Sequence, residues 1–463
     1  MSQKVCCVPG CSTVAGDGIS LHRFPNPNQH IDLFQVWLKK IGGHVAELDK
    51  DYIYSNRRVC RRHFEDIYLY PTKLCSLAIP SLCLAENMAA AEAIIVSEPH
   101  TSSSFISNSN EMEMAPDNIS KMKAVVFDGK SLTLKYDENY PMPVIQKDDD
   151  VIVKVEYSGV CGTDLHIIQG EFPASKERPL PLGHEFSGVV HQAGKASIFK
   201  VGQKIVVDPN RACNLCSFCR DGKYQYCLSA GINSTIGIWK DGGWAQYCRC
   251  PQDQVYALPE GITTEQAGLC EPYSCVAHGY DRAAPLPIGS KILIVGAGII
   301  GNLWITTLHL QGHKDVTVSE MNKSRLDIVK LMETGYRLVT PDVLAAEKQL
   351  YDVIIDCTGV GKVMEISFNY LQHGGKYVLF GCCPPTHQAS LNPYQIYDKE
   401  LTIIGVKINP FSFPKALGLL QAMGDRYLNY EKLGVKTYPL SAYQDAIKAL
   451  KAGSISKAIF KIV

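Results

Sequence analysis

Residues Ser158–Gly188 read SGVCGTDLHIIQGEFPASKERPLPLGHEFSG. The stretch offers a thiol at Cys161, an imidazole and a carboxylate side by side at His184 and Glu185, and polar residues Thr163 and His166 between them. One sulfur, one nitrogen and one oxygen donor suit a zinc whose fourth position stays open, which separates a catalytic zinc from a structural one. Each residue alone has a plainer reading: a packed small thiol for Cys161, a capped turn for His184. The order V-C-G-T-D-x-H, followed some twenty residues later by P-L-G-H-E-F-S-G, points to chemistry instead.

That order resembles the zinc-dependent medium-chain dehydrogenases, especially their polyol and threonine dehydrogenase branch. The resemblance runs from Met122 to the end of the chain. It implies an α/β protein built from a partly open, GroES-like β-barrel, completed by the C-terminal segment, and a doubly wound Rossmann domain. It further implies that Cys161, His184 and Glu185 are the first zinc ligands and that Glu271, in LCEPYSC, binds the metal directly or through water. Thr163 and His166 match positions that carry the alcohol proton toward solvent. The zinc would act as a Lewis acid that lowers the pKa of a bound alcohol.

Working outward, 463 residues allow about three compact units. Lys+Arg 46 balances Asp+Glu 46, so any polyanion-binding face must be local. No charged segment precedes an apolar run at the N-terminus, and runs such as Ile292–Val295 are far shorter than the ~20 residues that span a bilayer. The expectation is a soluble, intracellular protein with no membrane partner. In a reducing compartment, 18 cysteines point to metal before disulfides.

Two further cysteine sets follow. Cys213, Cys216, Cys219 and Cys227 form C-x2-C-x2-C-x7-C, enough to close a tetrahedral zinc site with no open position. In the resembled family this is the structural zinc lobe. Near the N-terminus, Cys6 and Cys11 pair with Cys60 and His63 as Cys-x4-Cys and Cys-x2-His, again a closed zinc set, with Cys7 a competing first ligand. The surrounding LHRFP at Pro25, Trp37, Phe64 and the box Ala78-Ile79-Pro80-Ser81 resemble a THAP-type zinc finger, a small βαβ unit. That likeness implies double-stranded DNA as a partner, with a two-stranded sheet in the major groove. About ten basic against about seven acidic residues up to Leu84 leave a small excess, densest at Arg57, Arg58, Arg61 and Arg62, which could meet phosphates. Residues 85–121, Ser/Asn-rich at their centre, read as a flexible linker with a possible short helix near Met88–Ala93.

Farther on, KILIVGAGIIGNLWITTLHLQG gives a buried strand, then Gly296-Ala297-Gly298-Ile299-Ile300-Gly301, then a helix. Nineteen residues after Gly301, DVTVSE ends in Glu320. A pyrophosphate would sit at the helix N-terminus, and Glu320 would accept ribose hydroxyls and repel a 2′-phosphate. This favours NAD over NADP, with Arg325 the residue that could reverse the preference. YDVIIDCTGV and GGKYVLFGCC continue the strand rhythm, with Cys357, Cys382 and Cys383 expected in the core. The expected division is finger 1–84, linker 85–121, barrel 122–270 with 426–463, and dinucleotide domain 271–425.

Glu185 as third ligand points to the sorbitol, arabinitol and threonine branch, and GVKINPFSFPKA lacks the run associated with threonine dehydrogenases. A polyol substrate is preferred, with Lys407 able to hydrogen-bond a distal hydroxyl; threonine is the alternative. Another is a DNA-binding regulator that uses the dehydrogenase fold as a dinucleotide sensor or dimerisation platform. The family implies a homo-dimer or homo-tetramer, and the two halves imply cytoplasmic or nuclear residence.

Overall fold

The structure is a computed structural model that describes residues 6–9, 11, 21–27, 31–41, 43–60, 120–384 and 386–462, without the side chains of 31–33, 40, 43 and 44. The chain divides into two compact units, Met1–Ala115 and Pro116–Val463.

In the first unit, Leu21–Arg23 pairs antiparallel with Arg58–Cys60. The helix Ile31–Ile41 and the shorter helix Lys50–Asn56 lie between these strands in sequence. Asp49 caps the second helix by accepting from the N–H groups of Asp51 and Tyr52. Phe34, Trp37 and Ile41 recur at helical spacing and bury one face against Phe24, Val45, Ile53 and Val59. Trp37, singled out in the sequence, is thus a core residue, its ring 5.2 Å from that of Phe24. His63, Arg61, Arg62, Phe64, the Ala78–Ser81 box and residues 85–119 lie outside the described residues.

The second unit opens with the hairpin Lys121–Asp128 and Thr133–Pro141, joined by a turn in which Leu132 takes a left-handed backbone. A seven-stranded sheet follows, with the order Val255–Ala257, Lys204–Val207, Phe186–Ala193, Asp150–Gly159, Lys457–Lys461 and Val435–Pro439. Tyr247–Pro251 also pairs with Asp150–Gly159. The last strand therefore returns from the far end of the sequence to lie antiparallel beside Asp150–Gly159. Asp150–Gly159 pairs antiparallel with three strands and is buried along most of its length, with Lys154 its one exposed residue.

Six parallel strands form the other sheet, in the order Arg337–Val339, Val316–Ser319, Ile292–Val295, Tyr351–Asp356, Leu371–Leu379 and Thr402–Gly405. Counted along the chain this is 3-2-1-4-5-6, the doubly wound order that leaves a crevice at the carboxyl ends of its first and fourth strands. The helix Phe413–Tyr427 begins with a proline in its first turn, as the sequence suggests, but non-helical Gly424 interrupts it. One expectation fails here. Cys382 is exposed and Cys383 half-buried, both past the end of the strand Leu371–Leu379, whereas half-buried Cys357 does pack against the main core. No helix among the described residues is long and apolar enough to cross a membrane.

Candidate functional site

Cys161 follows the strand Asp150–Gly159 after one intervening residue, as the N-cap of the short helix Gly162–Ile168. His184 and Glu185 enter just before the neighbouring strand Phe186–Ala193, which pairs antiparallel with it. Two adjacent strands thus bring side chains twenty-odd residues apart to one point. The Cys161 thiol, a His184 ring nitrogen and a Glu185 carboxylate oxygen all lie within 4.8 Å of one another, with His184 and Glu185 buried. Thiol, imidazole and carboxylate converging in an interior are donors that fit zinc.

Three supporting residues were missed in the sequence. Asp164, fully buried, accepts the Cys161 N–H at 2.8 Å and stands 3.4 Å from Nδ1 of His184. One carboxylate therefore fixes two of the three donors, as outer carboxylates do around metal-binding histidines. Burial lowers the His184 pKa, but the Asp164 and Cys161 charges outweigh it and hold it well above the ordinary value. The second residue, Lys457, comes from the last strand and forms a buried ion pair with Glu185. Its Nζ also donates to the Val160 carbonyl at 3.3 Å. The third, Glu171, meets Nδ1 of His166 at 2.6 Å. Asp164, three residues after Cys161, had the spacing of a helix-cap partner; nothing in the sequence marks Lys457.

Glu271 is not brought into the cluster. It lies on the buried helix Cys270–Ala283, where its Oε1 accepts from the Cys275 thiol at 3.5 Å. Burial is the largest influence on it and pushes its pKa up to about 7, with the Glu185 charge adding to the rise. Thr163 and His166 are both half-buried on the helix Gly162–Ile168, three residues apart and so on one face. Lys407 is exposed.

The four sulfurs of Cys213, Cys216, Cys219 and Cys227 also lie within 4.8 Å of one another. Cys213 Sγ accepts from the N–H groups of Leu215 and Cys216, at 3.5 and 3.4 Å. Burial pushes the Cys213 thiol up, but those N–H groups and its thiol neighbours reverse the balance and bring it down to about 6. Cys6, Cys11 and Cys60 form a third cluster, with Cys11 and Cys60 sulfurs 3.7 Å apart, so Cys6 and not Cys7 joins the set.

At the glycine-rich turn, Gly296 has φ 94°, and a Cβ on Gly301 would stand 2.0 Å from the Gly296 carbonyl oxygen. Only glycines let this turn lie so close to the helix Ile299–Leu310, for which Gly298 is the N-cap. Ile299 and Ile300 form the first turn, half-buried. Glu320 directly follows the strand Val316–Ser319, one residue beyond it, and its carboxylate accepts from the N–H groups of Ala297 and Asn322, at 2.7 and 2.8 Å, with Arg325 3.8 Å away.

Of the four arginines expected to face phosphate, Arg58 is corrected. It is 5% exposed, and its guanidinium donates to the carbonyls of Arg57, Ser55 and Tyr54. It closes the end of the helix Lys50–Asn56, whose last carbonyls lack helical partners. Arg57 packs over the Tyr52 ring, 5.5 Å from its centroid.

A barrel strand pair presenting Cys, His and Glu, beside a doubly wound sheet with a glycine-rich turn, defines a zinc-binding dehydrogenase. Residues 147–260 match the alcohol dehydrogenase GroES-like domain, residues 300–422 the zinc-binding dehydrogenase domain, and residues 6–83 the THAP domain. The chain is 30% identical over 324 residues to D-arabinitol dehydrogenase 1 of Uromyces fabae, covering 68% of this chain and 90% of that protein. It is 29% identical over 323 residues to sorbitol dehydrogenase of Bacillus subtilis, covering 67% and 89%. A structure described as a zinc-binding dehydrogenase of Sinorhizobium meliloti 1021, bound to NADP, superposes with a TM-score of 0.67 at 31% identity, over 74% of this chain and 99% of that one. The chain belongs to the zinc-dependent alcohol dehydrogenase family, oxidoreductases of CH–OH groups, with a THAP domain at its N-terminus.

Proposed function

We propose that the chain oxidises a secondary hydroxyl of a polyol, of the sorbitol and arabinitol kind, with NAD, and that its N-terminal finger binds double-stranded DNA. The observation that carries the enzymatic part is the convergence of Cys161, His184 and Glu185 in a chain whose relatives are named arabinitol and sorbitol dehydrogenases. These three residues would hold the catalytic zinc; Glu271, outside their cluster in this structure, would be a further ligand, directly or through water. Bound zinc supplies Lewis acidity that brings a hydroxyl proton within reach of neutral pH, and the nicotinamide accepts the hydride. Thr163 and His166 would take that proton and pass it to solvent.

The chain's other residues have positional work. Asp164 would hold the His184 ring by Nδ1, leaving Nε2 as the donor nitrogen. The first turn of the helix Ile299–Leu310 would receive the pyrophosphate on its free N–H groups. Glu320 would exchange its hold on Ala297 for the ribose hydroxyls, which favours NAD; Arg325 beside it, and the NADP in the Sinorhizobium structure, make the opposite preference the alternative. Cys213, Cys216, Cys219 and Cys227 would hold a structural zinc, and Cys6, Cys11, Cys60 and His63 the finger zinc. We divide the chain as finger 1–84, linker 85–121, barrel 122–270 with 426–463, and dinucleotide domain 271–425.

A second reading, a DNA-bound regulator that senses dinucleotide without turnover, is favoured by the THAP domain. L-threonine is the competing substrate. Rates of NADH formation with sorbitol, arabinitol, xylitol and threonine, and with NADP in place of NAD, separate these. Turnover fastest with a polyol and NAD supports the proposal; none with any alcohol supports the regulator. A dimer or tetramer is expected, in which the edge strand Thr402–Gly405 is free to pair, and residence in cytoplasm or nucleus would follow whichever half dominates.

A further inference from the structure

We propose that Glu171 is the positioning residue of the proton relay: it fixes the His166 ring as the Nδ1–H tautomer and keeps Nε2 free as the accepting atom. The inference rests on the reading of His166 as part of that relay.

The geometry starts from the backbone. After the helix Gly162–Ile168 the chain folds back, and the N–H groups of Glu171 and Phe172 both donate to the His166 carbonyl, at 2.9 and 3.3 Å. This return brings the Glu171 carboxylate onto the ring of the same residue, 2.6 Å from Nδ1. An ionised carboxylate has no proton to donate, so the ring nitrogen facing it must carry one. A neutral imidazole has a single ring proton, hence Nε2 is left with its lone pair. A relay histidine in the other tautomer would present an N–H where it must receive a proton. Glu171 is also placed to hold the ring in direction, since the hydrogen bond and the two backbone bonds close a compact loop.

The pair stands at a water-accessible boundary. Glu171 lines a cavity of about 410 Å³ with Phe127, Phe172 and two other charged side chains, Lys130 and Lys176. Ile167, buried on the same helix, forms the inner wall. The carboxylate that holds Nδ1 of His166 thus borders this cavity, and both side chains of the pair are partly exposed.

The test uses the full-length zinc-loaded enzyme and the conservative variant Glu171→Gln, which keeps the shape but can donate as well as accept. In 15N spectra of histidine-labelled protein, taken well above the histidine range and assigned by the signals missing in His166→Asn, His166 should show a protonated Nδ1. In Glu171→Gln the two ring signals should move toward averaged values. Unchanged signals overturn the proposal, and this readout holds even if no alcohol proves to be a substrate. In steady-state assays Glu171→Gln should lower kcat about tenfold while KM stays within about twofold, an effect of the size expected for a mispositioned base. The loss should vanish when the substitution is made in His166→Asn. An equal loss in both backgrounds would show that Glu171 serves only the loop, and would also overturn it.

Discussion

Arg58 follows the helix Lys50–Asn56 directly after Arg57, and three carbonyls at that helix end occupy its guanidinium. Its charge therefore acts on the fold of the finger. Arg58→Ala should lower the finger's stability by about 1–2 kcal/mol, the scale of buried hydrogen bonds to a charged group, read as a shift in the thermal midpoint of the isolated transition. Gly159 is the counterpart in the enzyme. A Cβ there would stand 2.1 Å from Glu185 Oε2 and 2.9 Å from Lys457 Cε. Gly159→Ala should push the carboxylate out of the donor cluster and weaken one zinc about 10- to 100-fold, measured by chelator competition. Residues of these two kinds differ in how well the sequence exposes them. Cys161, His184 and Glu185 are legible because metal ligation needs particular atoms, and such atoms are rare enough for their order to carry information. Lys457 and Glu171 are ordinary charged residues whose roles arise only when a distant strand or a returning loop meets the site, and Asp164 shows locally its cap spacing but not its approach to His184. Arg58 looked like its neighbour Arg57 because a run of arginines does not say which one turns inward.

At the scale of elements, the loop after the strand Thr402–Gly405 ties the dinucleotide sheet to the barrel. Asn409, fully buried, accepts from Asn210 Nδ2 at 2.8 Å and donates to Ser274 Oγ at 2.9 Å and Asp208 Oδ1 at 3.2 Å. Tyr224, within the cysteine lobe, donates to the Asn409 carbonyl at 3.2 Å. Burial pushes Asp208 from 3.8 up to about 8, despite the donors of Asn210 and Asn409. The folded form therefore holds a proton that the unfolded chain releases at lower pH. Its stabilising effect is complete below 3.8 and is lost as pH rises through about 8. Thermal midpoints of the wild type should fall across that window by more than those of Asp208→Asn; parallel curves would refute the assignment. The strand and helix alternation of the dinucleotide sheet was readable from period and glycine placement. The Asn409 network was not, since it joins residues some two hundred positions apart with no local pattern.

For the whole molecule, the arrangement is one finger and one dehydrogenase in a single chain, with three clusters of metal-donor side chains among the described residues. Two clusters are sulfur-rich, as suits a structural zinc, while the third offers a thiol, an imidazole and a carboxylate. That difference in donors, rather than the number of cysteines, separates the site assigned to chemistry from those assigned to structure. It was available in the sequence because the four-cysteine set is local and the other two each rest on short, recognisable donor spacings that a strand pairing brings together. The measurement that tests the central claim most directly is zinc content together with polyol-dependent NADH formation in the wild type and in Cys161→Ser. The account predicts three zinc per chain and turnover in the wild type, against two zinc and no turnover in the variant; unchanged NADH formation by Cys161→Ser would contradict it.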